Sequence, residues 1–207
     1  MESVIDIFNE RKEEVNVYFN YIKNSQDNVE HTVNKILKSN LILMLYNLVE
    51  SSIANSIEEI HTSINSRGNN FDELNDKIKL LLLKQLKNTS FSRITNNING
   101  IAKAVILEGF SKNKISNGNI DNDEISKISN KYGFSNRTTY EKTKSGACLK
   151  EIKNKRNDLA HGTFSFTDVG KDYSVEDLES KKEETINYLE DILDNIKVFI
   201  ADEKYKR

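Results

Sequence analysis

Apolar residues recur along the chain at helical spacing from its first turn. Val4, Phe8, Val15, Tyr18, Phe19 and Ile22 are separated by one, three, four or seven positions on a polar background, which predicts a helix to about Asn24. From residue 29 to 64, Val33, Ile36, Leu37, Leu41, Met44, Leu45, Leu48, Ile53, Ile57, Ile60 and Ile64 predict one long central helix buried over a wide face. Arg67-Gly68-Asn69-Asn70 reads as a turn, after which Asp72 is placed as the cap of a helix through Leu74, Ile78, Leu81, Leu82 and Leu86. A further helix is expected over residues 90–110. The pattern then breaks, because residues 111–146 are rich in Asn, Ser, Gly and charge around a short helical stretch from Asp121 to Tyr132. Two uses of residues 111–146 stand side by side, a plain surface connection and a segment that selects substrate or partner.

Periodicity returns over residues 147–161, where Gly162, a natural left-handed residue, ends the helix. Residues 163–173 read as a loop. Ser174-Val175-Glu176-Asp177 has the form of a capping box for a last helix whose Leu178, Ile186, Leu189, Ile192, Leu193, Ile196, Val198 and Ile200 form its core face. The expected fold is all-α: an up-and-down core of four or five helices in a single domain over 1–207, with a loop-rich insertion at 111–146 before the helix of residues 147–161.

Composition agrees with uninterrupted helices, since the 207 residues include no Pro, no Trp and only 8 Gly, and 30% are charged. The single cysteine, Cys148, has no intrachain disulfide partner, and the acidic start Met1-Glu2-Ser3-Val4 is unlike a secretion signal, which points to a cytoplasmic protein. No apolar run approaches the roughly 18 residues of a membrane-spanning helix. A formal net charge of −2 hides a local excess of cations, for over residues 141–156 Lys142, Lys144, Lys150, Lys153, Lys155 and Arg156 face only Glu141 and Glu151. Lys153 and Lys155 are therefore candidate substrate contacts, with a solvated helix face as the equal alternative. His31 and His61 are too far apart on one helix to form a local metal pair, and Cys148 has no His near it in sequence, so neither a metal site nor a cofactor is expected.

The chemistry concentrates in Arg156-Asn157-Asp158-Leu159-Ala160-His161-Gly162. Arginine is a permanent, fork-shaped phosphate binder, and histidine moves its proton near neutral pH. At about 100° per residue, Leu149, Ile152, Leu159 and Ala160 define an apolar arc with Arg156 near its middle. Asn157 and His161 share a neighbouring polar face with Lys153 and Asn154, and Asn157 is assigned to orient the imidazole or to bind a phosphate oxygen. A guanidinium on an apolar arc needs a carboxylate, and Glu50, within an otherwise apolar part of the long helix, is the best candidate. From periodicity alone the favoured reading of the pair is a structural buried one with no catalytic part. Tyr46 and Phe164 either stack on a nucleobase or pack in the core.

The heptad, with Asn directly after the Arg and its Ala-His-Gly ending, resembles the Arg-x4-6-His signature of HEPN domains. Leu43-Met44-Leu45-Tyr46-Asn47-Leu48-Val49-Glu50, the piece from Ile115 to Ile120, Lys131-Tyr132-Gly133-Phe134, and Ser165-Phe166 with Gly170, Tyr173, Ser174, Asp177 and Leu178 extend the resemblance to MAE_28990/MAE_18760-like HEPN nucleases over most of the chain. The resemblance implies a metal-independent endoribonuclease of a prokaryotic defence or toxin system, with RNA as substrate and an antitoxin or other defence protein as a partner. It also implies a two-fold homodimer whose paired signatures share one cleft, with Arg156, His161 and Asn157 catalytic and Glu50 supporting them. In some HEPN toxins a tyrosine two places after the signature histidine is modified by a partner enzyme; this chain has Thr163 there. The alternative is a non-catalytic HEPN module that binds RNA or a partner protein, and a third reading is a purely structural scaffold.

Overall fold

The computed structural model describes residues 1–25, 28–86 and 119–207. Its long elements follow the hydrophobic spacing. Helix α1 (Glu2–Ser25) buries Val4, Phe8, Val15, Phe19 and Ile22, and α2 (His31–Ser66) runs for 36 residues. After it in the chain come α3 (Asp76–Leu86), α4 (Asn122–Tyr132) and the short α5 (Tyr140–Thr143). The helix carrying the heptad is α6 (Ala147–Ala160), followed by the short α7 (Phe166–Gly170) and the last long helix α8 (Val175–Ala201). Among the described residues there is no strand; a single isolated bridge joins Leu74 to Lys206. No described helix is long and apolar enough to cross a membrane.

Helices α1, α2, α6 and α8 form an up-and-down bundle. Tyr18 Oη donates to the Leu37 carbonyl at 3.2 Å and the Met1 ammonium pairs with Glu59, so α1 and α2 run antiparallel. Lys12 meets Glu190 and Lys23 meets Glu179, which sets α8 antiparallel to α1. Cys148 lies beside Thr185, and Glu151 pairs with Lys181, which sets α6 antiparallel to α8. α2 lies against α1, α6, α7 and α8, and its burial on several sides explains why it also buries Ser39, Ser52, Ser56 and Ser63. Small residues allow close approach, and the hydroxyls of Ser52 and Ser56 donate back to the Leu48 and Ser52 carbonyls at 2.6 Å, so burial leaves neither unsatisfied.

Two local expectations change. Asp72 does not cap a helix through Leu74: Phe71–Glu73 is a separate 3-10 turn, and α3 starts at Asp76 with Asn75 Oδ1 accepting from the Ile78 N–H at 3.0 Å. The bridge at Leu74 and the bond from the Asn75 N–H to the Tyr205 carbonyl tie this segment to the C-terminal tail, which local propensity does not register. Residues 163–173, read as loop, contain α7, whose Ser165–Asp168 capping box compensates for its five-residue length. The helix expected over 90–110 and residues 111–118 of the expected insertion lie outside the described residues. Of the remainder, Ile120, Ile125, Ile128, Tyr132 and Phe134 are buried in the core.

Candidate active site

The heptad occupies the last turns of α6. Its end is a Schellman motif, in which the Gly162 N–H bonds the Leu159 carbonyl at 3.2 Å and the Thr163 N–H bonds the Asp158 carbonyl at 2.9 Å. Gly162 adopts φ +67, the left-handed value this turn needs. His161 is therefore the last residue before the chain turns away, and its side chain is exposed. Among the described residues no hydrogen bond holds its imidazole.

Arg156 is held differently. Its Nη2 lies 3.8 Å from Glu50 Oε2, and both side chains are partly buried, at 27% and 31% exposure. That separation is an ion pair longer than a direct hydrogen bond, and it joins the two residues that the apolar arc and the lone carboxylate suggested. Beneath the guanidinium lies the Tyr46 ring, with Cζ 4.5 Å from its centroid, a cation–π stack. Arg156 Nη1 also donates to Asn157 Oδ1 at 2.9 Å. The guanidinium thus has a face, an end and a neighbour that fix its plane.

Tyr46 and Asn157 both engage Arg156. Tyr46 is 0% exposed, so it has no face left for a nucleobase; it is the platform for Arg156. Burial pushes its phenol above the ordinary tyrosine range, with Glu50 adding to the effect and the Ile120 N–H and Arg156 opposing it, so the ring stays neutral. The Asn157 amide does not reach the imidazole by any described hydrogen bond, because its oxygen accepts from Arg156 and its nitrogen donates to Asn119 Oδ1 at 2.8 Å. It orients the arginine.

The lysines are also engaged. Lys153 Nζ is 2.5 Å from Asp121 Oδ2, with both side chains mostly buried, and Lys155 Nζ is 3.1 Å from Asp172. Burial works against the Asp121 carboxylate, yet Lys153 and the Glu124 N–H outweigh it and hold its pKa below the ordinary range. Asp121 does two things at once, since its other oxygen caps α4 by accepting from Glu124 N–H at 2.9 Å.

Sequence reasoning missed residues 119–121 as part of the site. Asn119 accepts from Asn157, the Ile120 N–H donates to Tyr46 Oη at 3.3 Å, and Asp121 pairs with Lys153, so three consecutive residues hold two residues of α6 and the tyrosine under Arg156. A signal existed in the cap position of Asp121 and in the piece ending at Ile120. Its partners lie far away in the chain, and spacing alone does not reveal them.

A cleft of about 760 Å³ runs between α1 and α2 and is lined by Glu10, Arg11, Glu14, Asn47, Glu50 and Ser51 among others. Of the signature set only Glu50 reaches it. Elsewhere, His61 Nε2 and Tyr132 Oη are 2.7 Å apart in a stacked pair, and burial pushes the His61 pKa down to about 4. Burial likewise pushes the Cys148 thiol up to about 12, which suits a packing residue better than a nucleophile. Among the described residues no three His, Cys, Asp or Glu side chains cluster as metal ligands.

One α6 therefore offers an anchored cation and, about 140° further round the helix, a solvent-facing imidazole. A model of the MAE_28990-like HEPN family matches residues 1–205 of the chain. Comparison with curated proteins and with solved structures returned no match. The fold, the anchored arginine and the family match agree, and the chain belongs to the MAE_28990-like HEPN family.

Proposed function

We propose that this protein is a metal-independent endoribonuclease that acts as a homodimer in the cytoplasm, within a prokaryotic defence or toxin system in which an antitoxin or other protein restrains it. HEPN membership supports an RNA-related role in general. The observation that carries the finer reading is the contrast within one helix: Arg156 is fixed by Glu50, Tyr46 and Asn157, while His161 is exposed at the helix end. A fixed cation suits a phosphate whose charge grows in the transition state, and an exposed imidazole suits proton transfer.

The reaction needs two proton transfers. A base removes the 2′-hydroxyl proton, the 2′-oxygen attacks phosphorus, the bond to the 5′-oxygen breaks, and an acid protonates that leaving oxygen. The products are a 2′,3′-cyclic phosphate and a 5′-hydroxyl. One His161 fills one role, so a second copy supplies the other, with two Arg156 guanidinium groups around one phosphate.

Cleavage of single-stranded RNA in EDTA, followed by analysis of the ends, tests the proposal. The parent is expected to leave cyclic phosphate, and Arg156→Ala and His161→Ala to lose at least about 100-fold in rate while keeping helicity and oligomeric state. Variants that cut as well as the parent would remove the site. RNA binding without cleavage in the parent would favour a non-catalytic HEPN module.

A further inference from the structure

Phe164 stands three positions beyond His161 and is 49% exposed, which leaves much of an aromatic ring in water. The chain around it is anchored. On one side the Schellman turn holds the backbone, with the Phe164 N–H 3.5 Å from the Asp158 carbonyl; on the other, Ser165 Oγ accepts from the Asp168 N–H at 3.1 Å to cap α7. The ring is thus exposed from a fixed turn.

Lys155 Nζ lies 5.9 Å from the Phe164 ring centroid, and a recess of about 370 Å³ is lined by Lys155, Phe164, Asp168, Lys171 and Asp172. Its charges are matched, with Lys155 to Asp172 at 3.1 Å and Lys171 to Asp168 at 3.2 Å. A phosphate entering there would meet two carboxylates. A flat, uncharged ring with donors and acceptors on its edges would meet an aromatic face and a polar rim, and a nucleobase has that chemistry. A base in a duplex keeps both faces stacked, so the ligand is an unpaired one. Tyr46, under the Arg156 guanidinium, is closed to this role.

We infer that Phe164 is a base-stacking platform that positions an unpaired nucleotide of the RNA next to His161. The inference rests on the proposed ribonuclease reading. Phe164 is a positioning residue: it holds the strand and takes no part in proton transfer.

The test uses the full chain in a His161→Ala background, which keeps bound RNA uncut, and measures binding of a labelled single-stranded oligoribonucleotide and of the same sequence in a duplex. Phe164→Ala is expected to weaken single-strand binding by about 5- to 100-fold, the range for loss of one stacked base, and to leave duplex binding unchanged. Phe164→Trp, which restores a π-face, is expected to recover the parent affinity. Because stacking releases no counterions, the Phe164→Ala loss should stay the same from about 50 to about 300 mM salt. Equal affinity of Phe164→Ala and parent overturns the inference and leaves the ribonuclease reading standing. So does a loss that changes the salt slope, which would mark a phosphate contact, or a loss of self-association with RNA binding intact, which would mark a protein contact. If no form binds RNA, the ribonuclease reading fails first and this inference falls with it.

Discussion

Tyr46 supports the site in two separable ways. Its ring faces the Arg156 guanidinium at 4.5 Å, and its hydroxyl oxygen accepts from the Ile120 N–H at 3.3 Å. Tyr46→Phe removes only the hydroxyl and is expected to cost about 1 kcal/mol of stability while leaving RNA cleavage within a few-fold of the parent. Tyr46→Leu keeps an apolar side chain but removes the π-face, so cleavage is expected to fall about tenfold or more in kcat with little change in KM. Urea unfolding alongside the kinetics separates the two effects, and identical kcat values for both variants would show that the ring does not position the arginine. At this scale the Arg156–Glu50 pair was legible in the sequence, because a charge on an apolar arc must find a counter-charge. The burial of Tyr46 was not, since an aromatic on a wide helix face is covered or left open according to which distant segment crosses it, here residues 119–121.

His61 gives a pH dependence with a definite sign. Its pKa is about 4 in the folded chain, lowered by burial, against about 6.5 when unfolded. Above about pH 6.5 the group is neutral in both states and costs nothing. As pH falls from about 6.5 towards 4 the unfolded chain binds the proton and the folded chain resists it, so stability drops, and below about 4 the loss levels off. Between pH 7 and pH 5 the parent is expected to lose about 2 kcal/mol more than His61→Gln, which does not titrate. Parallel stability curves for the two proteins over this range would show that the His61 site accepts the imidazolium.

At the scale of elements, α7 is pressed against α2 to the limit of backbone contact. A Cβ on Gly170 would lie 1.8 Å from the Lys35 carbonyl oxygen and 2.8 Å from Ser39 Oγ, and Ser39 Oγ itself bonds both the Lys35 and Phe166 carbonyls. Gly170→Ala must therefore push α7 off α2 and is expected to destabilise the fold by about 3 kcal/mol or more. Gly162 is a glycine for a different reason: a Cβ there meets nothing within 4 Å, and only its φ of +67 resists substitution. Gly162→Ala is expected to cost only about 1 kcal/mol. Thermal unfolding of the two variants checks the order, and a larger loss for Gly162→Ala would reverse the assignment. The same contrast explains which elements were legible beforehand. The left-handed end after His161 and the Ser174 cap are local chemistry written in adjacent residues. α7 is too short to show a period, and its place depends on a glycine meeting a carbonyl more than a hundred positions earlier in the chain.

The whole molecule decides whether the proposed chemistry can occur. The bundle was legible as a set of amphipathic helices, but no amphipathic pattern states how many chains complete a site. Arg156 and His161 lie about 140° apart on α6, and one imidazole serves one proton transfer at a time. If each cleft draws a base from one copy and an acid from the other, a dimer of one parent chain and one His161→Ala chain has lost one of the two and is inactive. Mixing parent and variant under conditions of free subunit exchange then makes activity follow the fraction of parent–parent dimers. An equal mixture at constant total protein is expected to retain about one quarter of the parent rate, the share of dimers with two parent chains under random pairing. Independent sites would retain about one half. The outcome therefore separates a composite site from two self-sufficient ones without knowledge of which RNA is cut, and a retained half would remove the two-copy mechanism while leaving Arg156 and His161 as the residues that act.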